Sequence, residues 1–338
     1  MPKTAVDLIE GLESGREEHY KGQLRREKLR VDALYDALKK AKALWGSTYK
    51  VPTRKNPKRT ASKYYTLVAV GDLHGAHLNI AARDAFYNDL EALKPKVIVL
   101  LGDLLDCAGT YSRFKKQHLM EFSYSYADEL RVVNDFLDTI QRICPDAEIY
   151  YIEGNHENRV EGWAVEKFDN KPDAQLALDM VGPKNTLHLD KRGIPYFELA
   201  KRHMGLETPG TIKLEKSLYL HGPRTGGGIH MTYNILRRLG DNLVHGHGHR
   251  IDEKILRNSG NIIGGWQGGC LCDIQPYYFH GDPTDHCNGF HVKFINSKTQ
   301  WHDSCNIKII DGKSTLSGVR GFLKFRDLGR AKPNPILD

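Results

Sequence analysis

The stretch TLVAVGDLHG, residues 66–75, decides how this chain is read. Leu67, Val68, Ala69 and Val70 form an unbroken apolar run, the pattern of a strand buried on both faces. It stops at Gly71-Asp72-Leu73-His74-Gly75, where glycines that permit tight turns flank two side chains able to bind a cation. The same grammar recurs four times. Lys96–Leu101 runs into Gly102-Asp103-Leu104-Leu105-Asp106, and Glu148–Ile152 leads through Glu153 to Gly154-Asn155-His156-Glu157. Ser217–Leu220 runs into His221-Gly222, and Asn242–Val244 into His245-Gly246-His247-Gly248-His249. In α/β folds the loops at the carboxyl ends of strands converge on one crevice. A single such loop means little, but the ordered set predicts a shared polar site.

Further strands are expected at Asn261–Ile263, Phe290–Ile295 and Ile307–Ile310, with helices over 77–93, 125–143 and 229–239. Strand–helix–strand alternation predicts a layered α/β fold. The chain has 338 residues, 40% hydrophobic and 27% charged, which suits a globular protein and excludes wholesale disorder or a disulfide scaffold. No run of 18 apolar residues exists, so no membrane partner is expected. The first residues lack the apolar stretch of a signal peptide. With six cysteines and no CxxC pair, this predicts a reducing, cytoplasmic location.

The net charge of +7 is unevenly placed. Residues 1–64 carry 16 Lys and Arg against 8 Asp and Glu, whereas residues 65–338 carry 33 against 34. The expected organisation is a helical extension (1–49), a basic linker (50–64), a catalytic domain (65–312) and a basic tail (313–338). Within the extension Leu24, Val31, Leu38 and Trp45 recur every seven residues, a stripe for docking or for pairing with a second copy. The segment KVPTRKNPKRTASK, residues 50–63, has six basic residues, two prolines and no acid. It reads as a tether or as an arm that contacts phosphates.

The ordered motifs over roughly 65–295 resemble those of the calcineurin-like metallophosphoesterase superfamily. The stretches Gly102-Asp103-Leu104-Leu105-Asp106, Ala127-Asp128-Glu129-Leu130, Gly154-Asn155-His156-Glu157-Asn158-Arg159 and Gly268-Gly269-Cys270-Leu271 are similar to phage and bacterial members of unassigned substrate. The resemblance implies a four-layer α/β sandwich, two mixed sheets flanked by helices, around two divalent metal ions. Asp72, His74 and His249 would hold the first ion, Asn155, His221 and His247 the second, and Asp103 both. Manganese is favoured, with iron, nickel or zinc as alternatives. A metal-bridging hydroxide would attack phosphorus, His156 would protonate the leaving oxygen, and Asp106 would orient His156. Cys107 stands where many of these phosphatases carry an arginine, which speaks against a phosphomonoesterase. Arg159 and Arg250 are candidate replacements for contact with substrate oxygens.

The leading expectation is therefore a phosphodiesterase acting on nucleic acid or a nucleotide, contacted in part by residues 1–64. A protein or small-molecule phosphomonoesterase is the alternative, and a non-catalytic binding module a third reading. His245 reads as structural. Cys270, Cys272, Cys287 and Cys305, with His280, His286 and His302, match no zinc-module spacing and read as packing or loop residues. Gly226-Gly227-Gly228 reads as a loop.

Overall fold

A computed structural model describes residues 63–108, 111, 124–199, 210–222, 228–258, 260–275 and 284–316, together with Lys21, Arg25 and Lys28, which are helical. The apolar stripe Leu24, Val31, Leu38 and Trp45, most of the basic linker, Gly226 and Gly227, His280 and the tail beyond 316 lie outside the described residues.

The apolar runs form two mixed sheets. In the first, β1 (Tyr64–Val70), β2 (Val97–Leu100), β3 (Glu148–Ile152) and β4 (Tyr196–Phe197) are parallel neighbours. On the other side of β1 lie β10 (Gly289–Asn296), β11 (His302–Ile310) and β12 (Lys313–Ser314), each antiparallel to the strand before it. β12 pairs with β11, so the sheet runs two residues past the expected boundary at 312. The second sheet has the order β5 (Thr211–Leu214), β6 (Ser217–Leu220), β7 (Leu243–His245), β9 (Asn261–Gly268) and β8 (Ile251–Asn258). Its three central strands are parallel and its two edges antiparallel.

The sheets pack face to face. Leu67, Ala69, Val97, Val99 and Leu101 from the first meet Ile212, Tyr219, Val244 and Trp266 from the second. Helices α1 (Ile80–Leu93) and α2 (Tyr126–Ile143) lie by the outer face of the first sheet. There Phe86 stacks on Phe136 at 6.1 Å and meets Phe290 edge-on at 5.0 Å. Between β3 and β5 the chain adds α3 (Asn158–Lys167), α4 (Lys171–Val181), α5 (Pro183–Thr186) and α6 (Leu189–Arg192). Helix α7 (Met231–Leu239) buries Met231, Ile235 and Leu236 against Leu220, Leu243 and Ile263 of the second sheet. The result is helix, sheet, sheet, helix, the four-layer sandwich that the family resemblance implies. Burying each large apolar side chain in these layers contributes about 1.5–3 kcal/mol.

Sequence detail fixes the ends. Asn79 caps α1 by accepting from the Ala82 N–H, so this helix starts at Ile80, after a 3₁₀ turn over Gly75–His77. Ser125 caps α2 in the same way through Asp128. The registers Val70↔Leu100 and Leu100↔Tyr151 align the ends of β1, β2 and β3, and Leu220↔His245 aligns β6 with β7. All five motif loops thus leave along one rim. Among the described residues no helix is long and apolar enough to cross a membrane.

Candidate metal centre

The loops after β1 and β2 are laced together by main-chain bonds. Asp72 N–H donates to Gly102 O at 2.9 Å, His74 N–H to Asp103 O at 3.0 Å and Gly75 N–H to Leu104 O at 2.9 Å. Asp72, His74, Asp103, His247 and His249 all adopt positive φ, between 43° and 70°. Such backbone costs of order 1–3 kcal/mol per residue and persists only where the surroundings over-determine it. Gly102, at φ 89°, shows the crowding: a Cβ there would sit 2.6 Å from Gly154 N and 2.9 Å from His221 Nδ1.

One group of side chains converges on His221. This ring is 1% exposed, and its Nδ1 donates to the Leu101 carbonyl at 2.7 Å, which turns Nε2 inward. Around that Nε2 stand Asn155 Oδ1 at 2.9 Å, Asp103 Oδ2 at 3.1 Å and His247 Nδ1 at 3.2 Å. Two of these are pure acceptors facing a ring nitrogen whose partner nitrogen already carries the proton. Burial opposes protonation of His221, yet Asp103, Asp72 and Glu157 push its pKa up to about 10. The same negative potential favours a cation, and the donor set fits a divalent metal of borderline softness.

A second group lies on the other side of Asp103. His74 Nδ1 bonds Asp106 Oδ1 at 3.1 Å, so its Nε2 faces inward, 3.1 Å from His249 Nε2 and 4.0 Å from Asp103 Oδ2. His249 Nε2 is also 3.3 Å from Asp72 Oδ1. Burial opposes ionisation of Asp72, but the neighbouring His249 and His221 hold its carboxyl below the usual range. Asp103 thus stands between the groups. His74, Asp103 and His156 also lie close enough to share one ion.

Asp106 Oδ1 serves two rings, since His156 Nδ1 is 2.8 Å away. His156 Nε2 receives Arg159 at 2.9 Å, and Arg159 also donates to the Asp106 carbonyl at 2.9 Å. The His156 N–H donates to Asp103 Oδ1 at 2.8 Å. Burial opposes protonation of His156, yet Asp103 and Asp106 raise its pKa. The Arg250 guanidinium pairs with Asp285 at 3.0 Å. His245 turns away from the centre, with Nε2 on Thr232 Oγ1 at 3.0 Å and Nδ1 on the Gly246 carbonyl at 2.9 Å.

Sequence reasoning missed the carboxylates that build the loops. Glu157 is fully buried and accepts from the N–H groups of Asp103, Leu104, Leu105 and Gly154, and from Tyr151 OH, at 2.6–3.0 Å. Glu129 accepts from Asp106 N–H, Cys107 N–H and Tyr124 OH. Both lie inside the motif stretches, but Glu157 is flanked by polar residues and Glu129 follows Asp128, so nothing in the local sequence marks either as a buried acceptor. Cys272 was also missed as a neighbour of the centre; its sulfur lies 3.8 Å from His249 Nδ1.

Residues 65–251 match the calcineurin-like phosphoesterase family, and the chain belongs to that family. None of the curated proteins compared with the chain matches it. Among solved structures it is similar to vacuolar protein sorting 29 from Cryptosporidium parvum, at 13% identity and a TM-score of 0.38, over 75% of this chain and 95% of that one. Vps29 from Chaetomium thermophilum is similar at 11% identity and a TM-score of 0.35, over 71% and 96%.

Proposed function

We propose that this metal-dependent phosphoesterase is a phosphodiesterase acting on nucleic acid or a nucleotide through two divalent ions. The observation that carries the reading is the set of acceptors packed within 3.2 Å of His221 Nε2, next to a second set that shares Asp103. On this reading Asp72, His74 and His249 hold one ion, Asn155, His221 and His247 the other, and Asp103 both. Manganese is the preferred ion and iron, nickel and zinc the alternatives. Bound divalent ions would supply Lewis-acid polarisation of a phosphoryl oxygen and a water of lowered pKa.

The chain's own groups supply the rest. Arg159 occupies the Nε2 face of His156. A phosphoryl oxygen entering this corner draws the guanidinium off the ring, and Nε2 is then free to carry the proton that the leaving oxygen needs. Asp106 holds the opposite nitrogen and steadies the imidazolium. Cys107 leaves the site without the arginine of related phosphatases; Arg159, with Arg250 next to His249, is left to contact substrate oxygens, an arrangement that suits the single charge of a diester better than the double charge of a monoester. The basic excess in residues 1–64 favours a polyanionic substrate. The stretches around Asp103, Glu129, Asn155 and Cys270 group the chain with phage and bacterial members, acting in the cytoplasm. The stripe in residues 24–45 offers a self-association surface.

The full-length chain, supplied with Mn²⁺, is assayed on a bis-aryl phosphate diester and on an aryl phosphate monoester. Faster diester turnover is expected. Faster monoester turnover would support the phosphomonoesterase reading. Two bound ions with no turnover on any phosphoester would support a binding module.

A further inference from the structure

Two of the proposed ligand histidines have their outer nitrogen occupied by an oxygen. His74 Nδ1 lies on Asp106 Oδ1 at 3.1 Å, and His221 Nδ1 on Leu101 O at 2.7 Å. Each bond fixes the tautomer and points the Nε2 lone pair inward. His249 has the same orientation, with Nε2 toward His74 and Asp72. The atom on its Nδ1 is a sulfur, Cys272 Sγ at 3.8 Å, a distance suited to an N–H donating to sulfur.

That sulfur is held in place by main chain. Cys272 is 3% exposed. Its N–H and that of Leu271 both donate to the Asp72 carbonyl at 3.2 Å, and Asn288 Nδ2 donates to the Cys272 carbonyl at 2.7 Å. The loop that carries the Asp72 carboxylate therefore also positions the acceptor for His249. On the ring's flank His286 packs edge-on at 4.6 Å, which restricts any flip of the imidazole. A buried thiol with no role would need none of this registration with the centre.

We infer that Cys272 is a positioning residue of the metal centre: its sulfur accepts the Nδ1–H of His249 and so aims the Nε2 lone pair at the ion shared with Asp72 and His74. The inference rests on the two-metal reading above.

The test titrates full-length wild type, Cys272→Ala and Cys272→Ser with Mn²⁺ by calorimetry, with melting temperatures of the metal-free proteins as a folding control. Loss of an outer partner typically costs about 10–100-fold in metal affinity. Cys272→Ala should show that loss for one ion of the two, while Cys272→Ser, which keeps an acceptor, stays close to wild type. Cys272→Ala binding both ions as wild type does would overturn the inference. So would equal weakening in both variants at unchanged melting temperature, because the hydroxyl should rescue. A thiolate-to-cobalt charge-transfer band in the Co²⁺ form of wild type, lost in Cys272→Ser, would also overturn it by making the sulfur a direct ligand. Wild type that takes up no Mn²⁺ or Co²⁺ would instead defeat the two-metal reading, and this inference with it.

Discussion

The Oδ1 atom of Asp106 lies 2.8 Å from Nδ1 of His156, and the same oxygen is 3.1 Å from His74 Nδ1. One carboxylate therefore steadies a proposed metal ligand and the proposed proton donor together. Burial opposes the charge on Asp106, but hydrogen bonds from the two rings and their charges hold its carboxyl well below the usual carboxylate range. The group is then an anion throughout the working pH range and orients both rings without itself exchanging protons.

His156→Gln should leave metal content near wild type and cut turnover by about 10²–10⁴-fold, the usual contribution of a positioned acid. The loss should shrink for esters with good leaving groups, which need little protonation. Elemental analysis alongside kinetics on a leaving-group series checks this. Because His156 lies close enough to His74 and Asp103 to share an ion, a fall in metal content would reassign it as a ligand.

Glu157 is a buried carboxyl, its pKa raised by burial and by Asp103, that accepts from five donors, four of them main-chain N–H groups of the loops that carry Asp103 and Asn155. Removing it strands those donors in a dry interior. Glu157→Ala should destabilise the fold by about 3–5 kcal/mol in chemical denaturation. Tyr151→Phe deletes one donor with its own hydroxyl and should cost only about 1 kcal/mol. Similar losses in the two variants would mean that the single bond from the Tyr151 hydroxyl, rather than the carboxylate's bonds to the main chain, holds the loops.

Lys293 is fully buried between the sheets, with Nζ on Ser217 Oγ at 2.5 Å and over the rings of Tyr219 and Trp266 at 5.3 and 5.0 Å. Burial depresses its pKa from 10.5 to about 7. Above that value the folded chain holds the amine neutral while the unfolded chain still binds the proton. Unfolding then takes up a proton, so stability rises with pH between about 7 and 10.5, by at most about 1.4 kcal/mol per unit. Below about 7 the burial cost is borne in full. Lys293→Met should raise stability at pH 7 and flatten this slope, as denaturation at pH 7 and 9 will show. An unchanged slope would place the titration on another group.

The strands were legible because both sheets are covered on their outer faces. Parallel strands buried on both sides read as unbroken apolar runs, and Glu148–Ile152 and Ser217–Leu220 carry the expected ends. Edge strand β8 was not legible: IDEKILRN sets three charges in a row before two aliphatics, without period-two alternation, and only its pairing with β9 makes it a strand. The site's acids, amide and histidines were visible because glycine punctuates each loop. The strain was not. Sequence reasoning assigns left-handed turns to glycine, yet Asp72, His74, Asp103, His247 and His249 adopt positive φ themselves. Nor could spacing reveal Glu129, Glu157 or Cys272, whose side chains find partners up to 54 residues away along the chain.

The uneven charge gives the last prediction. Every proposed ligand lies after residue 65, whereas the excess positive charge lies before it. If the segment of residues 50–63 lies along a nucleic acid, its Lys50, Arg54, Lys55, Lys58, Arg59 and Lys63 displace counterions from phosphates. Replacing these six by Gln in the full chain removes charge and leaves the helical stripe and the catalytic loops untouched. Affinity for duplex DNA should fall, and the log–log salt slope should drop by roughly 4–5 units if most of the six touch phosphates. Turnover of a small bis-aryl diester, which is too short to reach the arm, should stay near wild type. The possible outcomes separate cleanly. A tether leaves both slope and turnover unchanged; an arm packed on the catalytic body lowers small-substrate turnover; a phosphate-contacting arm changes the slope alone. Salt-titrated binding of the two proteins, with the small diester as control, decides among them, and an unchanged slope would remove residues 50–63 from substrate recognition.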